Sequence, residues 1–209
     1  MNNKEQHLKS LSEIRTLMRE SSKFISLSGL SGVSAGITAL IGAFFAYNYM
    51  NNLHENTAYN ERISTHYLSD FVKFFLIDAG FVLIVAAGLA IFFTTRKAKQ
   101  EGLAIWDDTA KRLVVNLLLP LAAGGIFCLI MLYHGITIMI APATLIFYGL
   151  ALINASKYTL GEVRWLGITE IALGLLAAMF PRNGLLFWAL GFGVMHIVYG
   201  SYMYFKYER

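Results

Sequence analysis

The sequence predicts an all-α integral membrane protein, a bundle of six transmembrane helices that follows an amphipathic N-terminal helix. Of its 209 residues, 56% are hydrophobic and only 14% are charged, and the mean hydropathy is +0.55. This composition lies well outside that of soluble proteins. A helix needs roughly 20 mostly apolar residues to cross a bilayer, and six segments meet this requirement: residues 24–50, 70–94, 113–133, 136–155, 162–180 and 185–205. Residues 24–209 are therefore expected to form one transmembrane domain.

The first 23 residues carry apolar side chains at helical spacing among charged ones: Leu8, Leu11, Ile14, Leu17 and Met18. The pattern predicts a cytoplasmic amphipathic helix over residues 1–23 that lies on the inner leaflet, with a self-association helix as the alternative. Because this segment lacks the apolar core of a secretory signal, the mature chain is expected to begin at Met1.

The basic residues predict the orientation, because basic loops stay on the cytoplasmic side of the membrane. With six spans drawn, 14 of the 17 lysines and arginines fall on one side, and only Arg62, Lys73 and Arg182 fall on the other. We expect both termini in the cytoplasm and the chain in a bacterial-type inner membrane. The net charge of +4 then reflects topology and contact with anionic membrane lipids, and no nucleic-acid partner is predicted.

Three parallel helical-hairpin repeats are predicted, over residues 24–94, 113–155 and 162–205. Their first helices align as GVSAGITALIGAF, LAAGGIFCLIMLY and EIALGLLAAMFPR, which superimposes Gly36, Gly125 and Gly174. Their second helices align as VAAGLAIFFTTRK, IFYGLALINASKY and IVYGSYMYFKY, which superimposes Gly88, Gly149 and Gly200. Repeats of this kind are related by an axis along the membrane normal.

Glycine residues on these helices are expected to let helix backbones approach closely in lipid. The predicted packing positions are Gly32, Gly36, Gly125, Gly174, Gly88, Gly149 and Gly200. An exposed glycine face also favours self-association, so a homo-oligomer is expected.

The last hairpin, ITEIALGLLAAMFPRNGLLFWALGFGVMHIVYG, has a glycine in its first helix, a proline at the turn and a glycine near the end of its second helix. In this it resembles the HdeD-like family of small acid-resistance membrane proteins, which are built from six spans in glycine-containing hairpins. The likeness covers this hairpin well and the other two loosely, and the long outer loop NYMNNLHENTAYNERISTHYLSD departs from it. The resemblance implies a role in stress or envelope homeostasis and names no reaction.

Glu170 and His196 are ionisable residues inside otherwise apolar spans. At 1.5 Å per residue, Glu170 lies about 12 Å and His196 about 14 Å from the inner surface, and a four-residue turn makes their two spans neighbours. A charge at that depth is costly unless it is paired, so the two side chains are predicted to meet in the bundle interior. Tyr199, one turn from His196, and Tyr148 are hydroxyls that such a site could use.

Asp78 is a third ionisable residue at membrane depth, about 12 Å from the outer surface. In the repeat alignment these three sites correspond to apolar residues or glycine, namely Gly32, Leu121, Ile84, Leu145, Met139 and Leu190. Two interpretations stay open. The three residues line a polar path or binding site for protons or a small solute, or they are interhelical hydrogen bonds that fix helix packing.

No motif indicates catalysis. The five histidines lack the paired spacing of metal ligands, and no GxSxG pattern occurs, so no catalytic residue, metal or cofactor is predicted. The favoured function is a non-enzymatic multi-pass membrane component. The alternative is a small proton- or solute-coupled transporter or channel that uses Glu170 and His196, and the third is a membrane-embedded lipid-modifying enzyme.

Overall fold

The computed structural model describes residue 24, residues 26–59 and residues 65–209, with no description of the side chains of residues 53–69. Within these residues the chain is all helical and contains no strand. The helices are α1 (Gly29–Tyr59), α2 (Thr65–Gln100), α3 (Asp108–Tyr133), α4 (Ile140–Ala155), α5 (Glu162–Met179), α6 (Gly184–Trp188), a π-helical segment (Ala189–Met195) and α7 (His196–Tyr207). The predicted amphipathic helix over residues 1–23 lies outside the described residues.

Five helices of the described chain are long and apolar enough to cross a membrane. They are Gly29–Asn52, Asp70–Gln100, Asp108–Tyr133, Thr137–Tyr158 and Pro181–Tyr207. The last of these comprises α6, the π-helical segment and α7, which together we call the last membrane helix. Helix α5 is not among the five, because its 18 residues include Glu162, Arg164 and Glu170. The predicted all-α membrane fold is confirmed at this level.

The long outer loop predicted over residues 48–70 is wrong for most of its length. Helix α1 continues to Tyr59 and helix α2 begins at Thr65, so both helices extend well beyond the spans predicted to end at residue 50 and to begin at residue 70. The segment is polar, but it contains no glycine and no proline. Since these are the residues that break helices, polarity alone does not end either helix.

The helices follow one another in a row in which α2 packs on α1, α1 on the last membrane helix, that helix on α5, α5 on α4, and α4 on α3. Helix α4 also contacts the last membrane helix directly. Helices α2 and α3 therefore lie at the two ends of the row, without an extended contact between them in the described chain. Most of the completely buried positions of the described chain belong to the inner members of the row: Leu145, Ala151, Glu170 and Ala177. Ala98, near the end of the outer helix α2, is the exception.

Two helix pairs of the row, α4 with α5 and α7 with α1, approach closely at glycines. A β-carbon on Gly149 would lie 2.5 Å from the carbonyl oxygen of Gly167, and a β-carbon on Gly200 would lie 2.7 Å from that of Gly29. Each pair is thus in contact backbone to backbone, as small residues permit.

The same two helix pairs also make equivalent contacts one to two helical turns further along. A β-carbon on Gly174 would lie 2.7 Å from Cγ1 of Ile146, and one on Gly36 would lie 2.7 Å from Cγ1 of Ile197. Gly32 likewise faces the last membrane helix, at 3.0 Å from the α-carbon of Gly200.

The remaining two predicted packing glycines, Gly88 on α2 and Gly125 on α3, differ from these. A β-carbon on either would meet no atom of the described chain within 4 Å. Their predicted packing role is therefore not seen within this chain, because α2 and α3 are the outer members of the row.

An ion cluster at one end of the bundle joins the C-terminal end of α7 to α1 and α2. The Glu208 carboxylate accepts hydrogen bonds from the Gly29 N–H at 2.5 Å and from the Ser28 hydroxyl at 3.1 Å. Lys97 Nζ lies 3.7 Å from Glu208 Oε1 and donates to the Leu27 carbonyl oxygen at 3.1 Å. Lys97, one of the basic residues predicted to lie on the cytoplasmic side, is only 6% exposed. The cluster borders a cavity of about 300 Å³.

Substituting Glu208 by alanine is expected to lower the free energy of unfolding in detergent by about 1–3 kcal/mol, because buried donors lose their acceptor. Thermal unfolding of the purified protein measures the change. Glu101→Ala is the matched control, since Glu101 contacts the same Lys97 at the longer distance of 4.0 Å and is more exposed. Equal melting temperatures for the two variants would contradict the role assigned to Glu208.

A buried carboxyl–imidazole–phenol site

Glu170 of α5 and His196 of α7 lie side by side in the interior of the bundle. Glu170 Oε1 is 3.4 Å from His196 Nδ1, and the two residues are 0% and 5% exposed. The sequence predicted that these side chains meet, and the structure brings them together. The contact follows from the short turn at residues 180–183, which sets α5 and the last membrane helix antiparallel and adjacent.

Tyr148 of α4 completes the site from the other side of the imidazole. Its hydroxyl lies 2.7 Å from His196 Nε2, while His196 Nδ1 lies 3.0 Å from the Gly191 carbonyl oxygen. A neutral imidazole with its proton on Nδ1 satisfies both contacts, because Nδ1–H then donates to Gly191 and Nε2 accepts from the tyrosine. Tyr199, the other predicted hydroxyl, does not bond His196 and lies 3.4 Å from the Thr169 hydroxyl.

The π-helical segment Ala189–Met195 shapes the site immediately before His196. Gly191, within this segment, lies directly against the Glu170 carboxyl: a β-carbon there would collide with Glu170 Oε2 and lie 2.6 Å from Cδ2 of Leu145. The absence of a side chain at residue 191 therefore makes room for the carboxyl group. Single π turns inside α-helices are often found at functional sites. The sequence predicts one membrane span over residues 185–205 and does not indicate the π-helical segment inside it.

The Glu170 carboxyl is buried without a hydrogen-bond donor among the described residues. Both of its oxygens are inaccessible to solvent and neither makes a hydrogen bond, which leaves the 3.4 Å approach of His196 as its polar contact. A carboxyl and an imidazole that are close together and shielded from solvent can exchange a proton, because each group can donate or accept one.

Asp78 is half-buried and belongs to a different helix pair. Its carboxylate lies between α2 and α1, where a β-carbon on Gly42 would be 3.5 Å from Oδ2. Glu170, His196 and Tyr148 come from α5, α7 and α4, and α2 packs on α1 alone among the long helices of the described chain, apart from minor contacts. A polar path from Asp78 to Glu170 remains a prediction.

Within residues 24, 26–59 and 65–209, no three histidine, cysteine, aspartate or glutamate side chains converge as metal ligands do. Comparison of the chain with protein-family models, with curated proteins and with solved structures found no match. The resemblance to the HdeD-like family therefore stays a prediction, and any function rests on the geometry described above.

Proposed function

We propose that this chain is a six-span, non-enzymatic inner-membrane protein in which Glu170 and His196 bind and release a proton that is coupled to transport across the membrane. The proposal takes α5 as the sixth span. Glu162 and Arg164 lie in its first turn, which leaves Glu170 as its one ionisable residue at membrane depth. Helix α5 also packs against both α4 and the last membrane helix, which are long and apolar enough to span.

Contacts at one end of the bundle support an even number of spans with both termini on one side. Lys206 near the end of α7 pairs with Glu162 at the start of α5 at 2.6 Å. Phe24 donates its N–H to the Tyr158 carbonyl oxygen at 2.7 Å, just after α4. Together with the Glu208 cluster, these contacts favour hairpins that all begin and end at one face, which the basic residues predict to be cytoplasmic.

Matching contacts support the three-hairpin repeat. In the alignment, Gly149 corresponds to Gly200 and Gly167 to Gly29, and these are the residues that meet across α4–α5 and across α7–α1. Gly174 with Ile146 and Gly36 with Ile197 correspond in the same way. A scaffold of this kind does not need a carboxyl or an imidazole at either site, since Glu170 aligns with Gly32 and Leu121, and His196 aligns with Ile84 and Leu145.

The unsatisfied carboxyl of Glu170 is the observation that carries the functional proposal. A polar residue kept only to fix helix packing is expected to make hydrogen bonds to its neighbours, because an unpaired buried polar group destabilises the fold. Glu170 makes none among the described residues, although it is completely buried. Ionisable residues inside membrane helices commonly belong to proton or substrate pathways. We therefore place proton binding above a purely structural role.

Purified protein in liposomes that contain a pH-sensitive dye tests the proposal. An imposed pH gradient or membrane potential is expected to drive proton flux through the wild type, and Glu170→Gln is expected to abolish it, because the amide cannot take up the proton. Tyr148→Phe is expected to slow the flux, since His196 then loses its contact at Nε2. Glu162→Gln is the matched control, because Glu162 lies on the same helix at the bundle end and pairs with Lys206.

Absence of proton flux in the wild type, combined with a lower melting temperature for Glu170→Gln, would contradict transport and favour the structural interpretation. Equal flux through the wild type and Glu170→Gln would also overturn the proposal. The stress-related role implied by the resemblance, and the membrane lipids expected as partners, remain predictions that these experiments do not address.

A further inference from the structure

Helix α2 carries a face that corresponds to buried faces elsewhere in the proposed repeat. Leu145 and His196, which are equivalent in the alignment, are 0% and 5% exposed, while Ile84, the equivalent residue of α2, is 73% exposed. Gly88 is equivalent to Gly149 and Gly200, yet no atom of the described chain would lie within 4 Å of a β-carbon there. The equivalent faces of α4 and α7 are each covered by the first helix of another hairpin. This face of α2 has no such partner in the described chain.

Helix α3 carries the face that would complete this interface, because it is equivalent to α1 and α5 in the proposed repeat. The partner of Gly149 in the chain is the first-helix face with Gly167 and Gly174. On α3 the corresponding residues are Leu118, which is 54% exposed, and Gly125, which has open space around it. The register of the two formed interfaces would set Val85 of α2 against Gly125, as Ile146 lies against Gly174, and Gly88 against Leu118.

The third pair of faces differs from the two formed interfaces at Leu118. The two formed interfaces have a glycine at this position, Gly29 or Gly167, where the helix backbones touch. A leucine there keeps α3 from approaching α2 in the same close manner, because its side chain must first be accommodated. Gly88, with free space above its α-carbon, offers a depression into which that side chain can pack.

We propose that a second copy of this chain covers both faces, with α2 of each copy packed against α3 of the other. Each copy supplies one α2 face and one α3 face. Two copies related by a two-fold axis along the membrane normal therefore cover all four of these faces. Both faces are apolar at membrane depth, and the residues that would meet are those that the repeat already pairs twice within the chain. A lipid chain has no comparable register, so a wild-type monomer that carries only bound lipid would contradict the dimer.

Disulfide trapping in native membranes tests this interface, which rests on the proposed repeat and not on the proton site. Two differently tagged copies are co-expressed in a Cys128→Ser background, one with Val85→Cys and the other with Gly125→Cys. Oxidation is expected to give the tagged heterodimer as the main product. Leu83→Cys replaces Val85→Cys in the matched control, because Leu83 is exposed on the same helix but points about 160° away from Val85 around the helix axis. This pair is expected to stay monomeric.

Gly88→Trp provides a second measurement, since it fills the space required by the other copy at a position where a β-carbon meets no described atom of its own chain within 4 Å. Native mass spectrometry is expected to show loss of the dimer, with the melting temperature of the monomer unchanged. Equal trapping through Leu83, a disulfide within one chain when both cysteines are placed in it, or a wild-type monomer that carries only bound lipid would each overturn the proposal. Retained proton flux in a variant that has lost the dimer would leave the transport proposal standing on its own.

Discussion

Replacing Gly149 by alanine is expected to destabilise the protein strongly, although alanine is the better helix former. The new β-carbon would lie 2.5 Å from the carbonyl oxygen of Gly167 and 2.9 Å from the backbone nitrogen of Ile171. Both are backbone atoms, so α4 and α5 must move apart along their contact. Overpacking of this kind costs about 1–3 kcal/mol, and the substitution should lower the melting temperature in detergent accordingly.

Gly80→Ala is the matched control for this prediction. Gly80 is also a glycine inside a long helix, but a β-carbon there meets no described atom within 4 Å. The substitution is expected to be neutral or to stabilise the protein by up to about 1 kcal/mol, because alanine has the higher helix propensity. The two variants should therefore shift the melting temperature in opposite directions or by very different amounts. Similar shifts would show that α4 and α5 do not pack at Gly149.

Repeated contacts of this type could be predicted only in part from the sequence. The alignment selects Gly149 and Gly200, and in the structure both lie against the backbone of a neighbouring helix, which small residues permit. The same alignment cannot show that Gly88 lies on an outer helix without a partner in the chain. That outcome depends on which hairpins adjoin, a property of the whole bundle.

Helix geometry along the sequence explains which parts of the candidate site could be predicted. The meeting of Glu170 and His196 follows from a constant rise per residue and a short turn, both of which can be counted along the sequence. The choice of Tyr148 over Tyr199 as the partner of His196 could not be predicted, since it requires α4 to lie against the last membrane helix. The π-helical segment has only its glycines, Gly191 and Gly193, as a signal, and these suit a tightly packed α-helix equally well.

Polar contacts between residues far apart in the sequence were also not predicted. Lys97 belongs to the basic residues that predict the cytoplasmic side, and that pattern does not indicate that it is buried beside Glu208, more than 100 positions along the chain. For residues 48–70 the sequence-based prediction of a loop was wrong for most of the segment. The polar composition suggested a loop, while the absence of glycine and proline was the better indicator of helix.

Gly191→Ala is expected to disrupt the buried site itself. The added methyl group would collide with Glu170 Oε2 and lie 2.6 Å from Cδ2 of Leu145, and Glu170 and Leu145 are both fully buried. Gly184→Ala is the matched control on the same membrane helix, because its β-carbon would lie 3.4 Å from Cβ of Ala141, which is ordinary contact. We expect a clear loss of thermal stability and of proton flux for the first variant and neither for the second.

Combining Gly191→Ala with Glu170→Ala separates the effect on the carboxyl from general overpacking. Removing the carboxyl relieves the collision with Oε2, so the double variant is expected to recover stability relative to Gly191→Ala alone, with a coupling of about 0.5–3 kcal/mol. Proton flux is not expected to return, because the double variant lacks the group that binds the proton. Additive losses of stability would mean that Gly191 does not accommodate the Glu170 carboxyl. Recovered flux in the double variant would mean that the proton moves by a route that does not include Glu170.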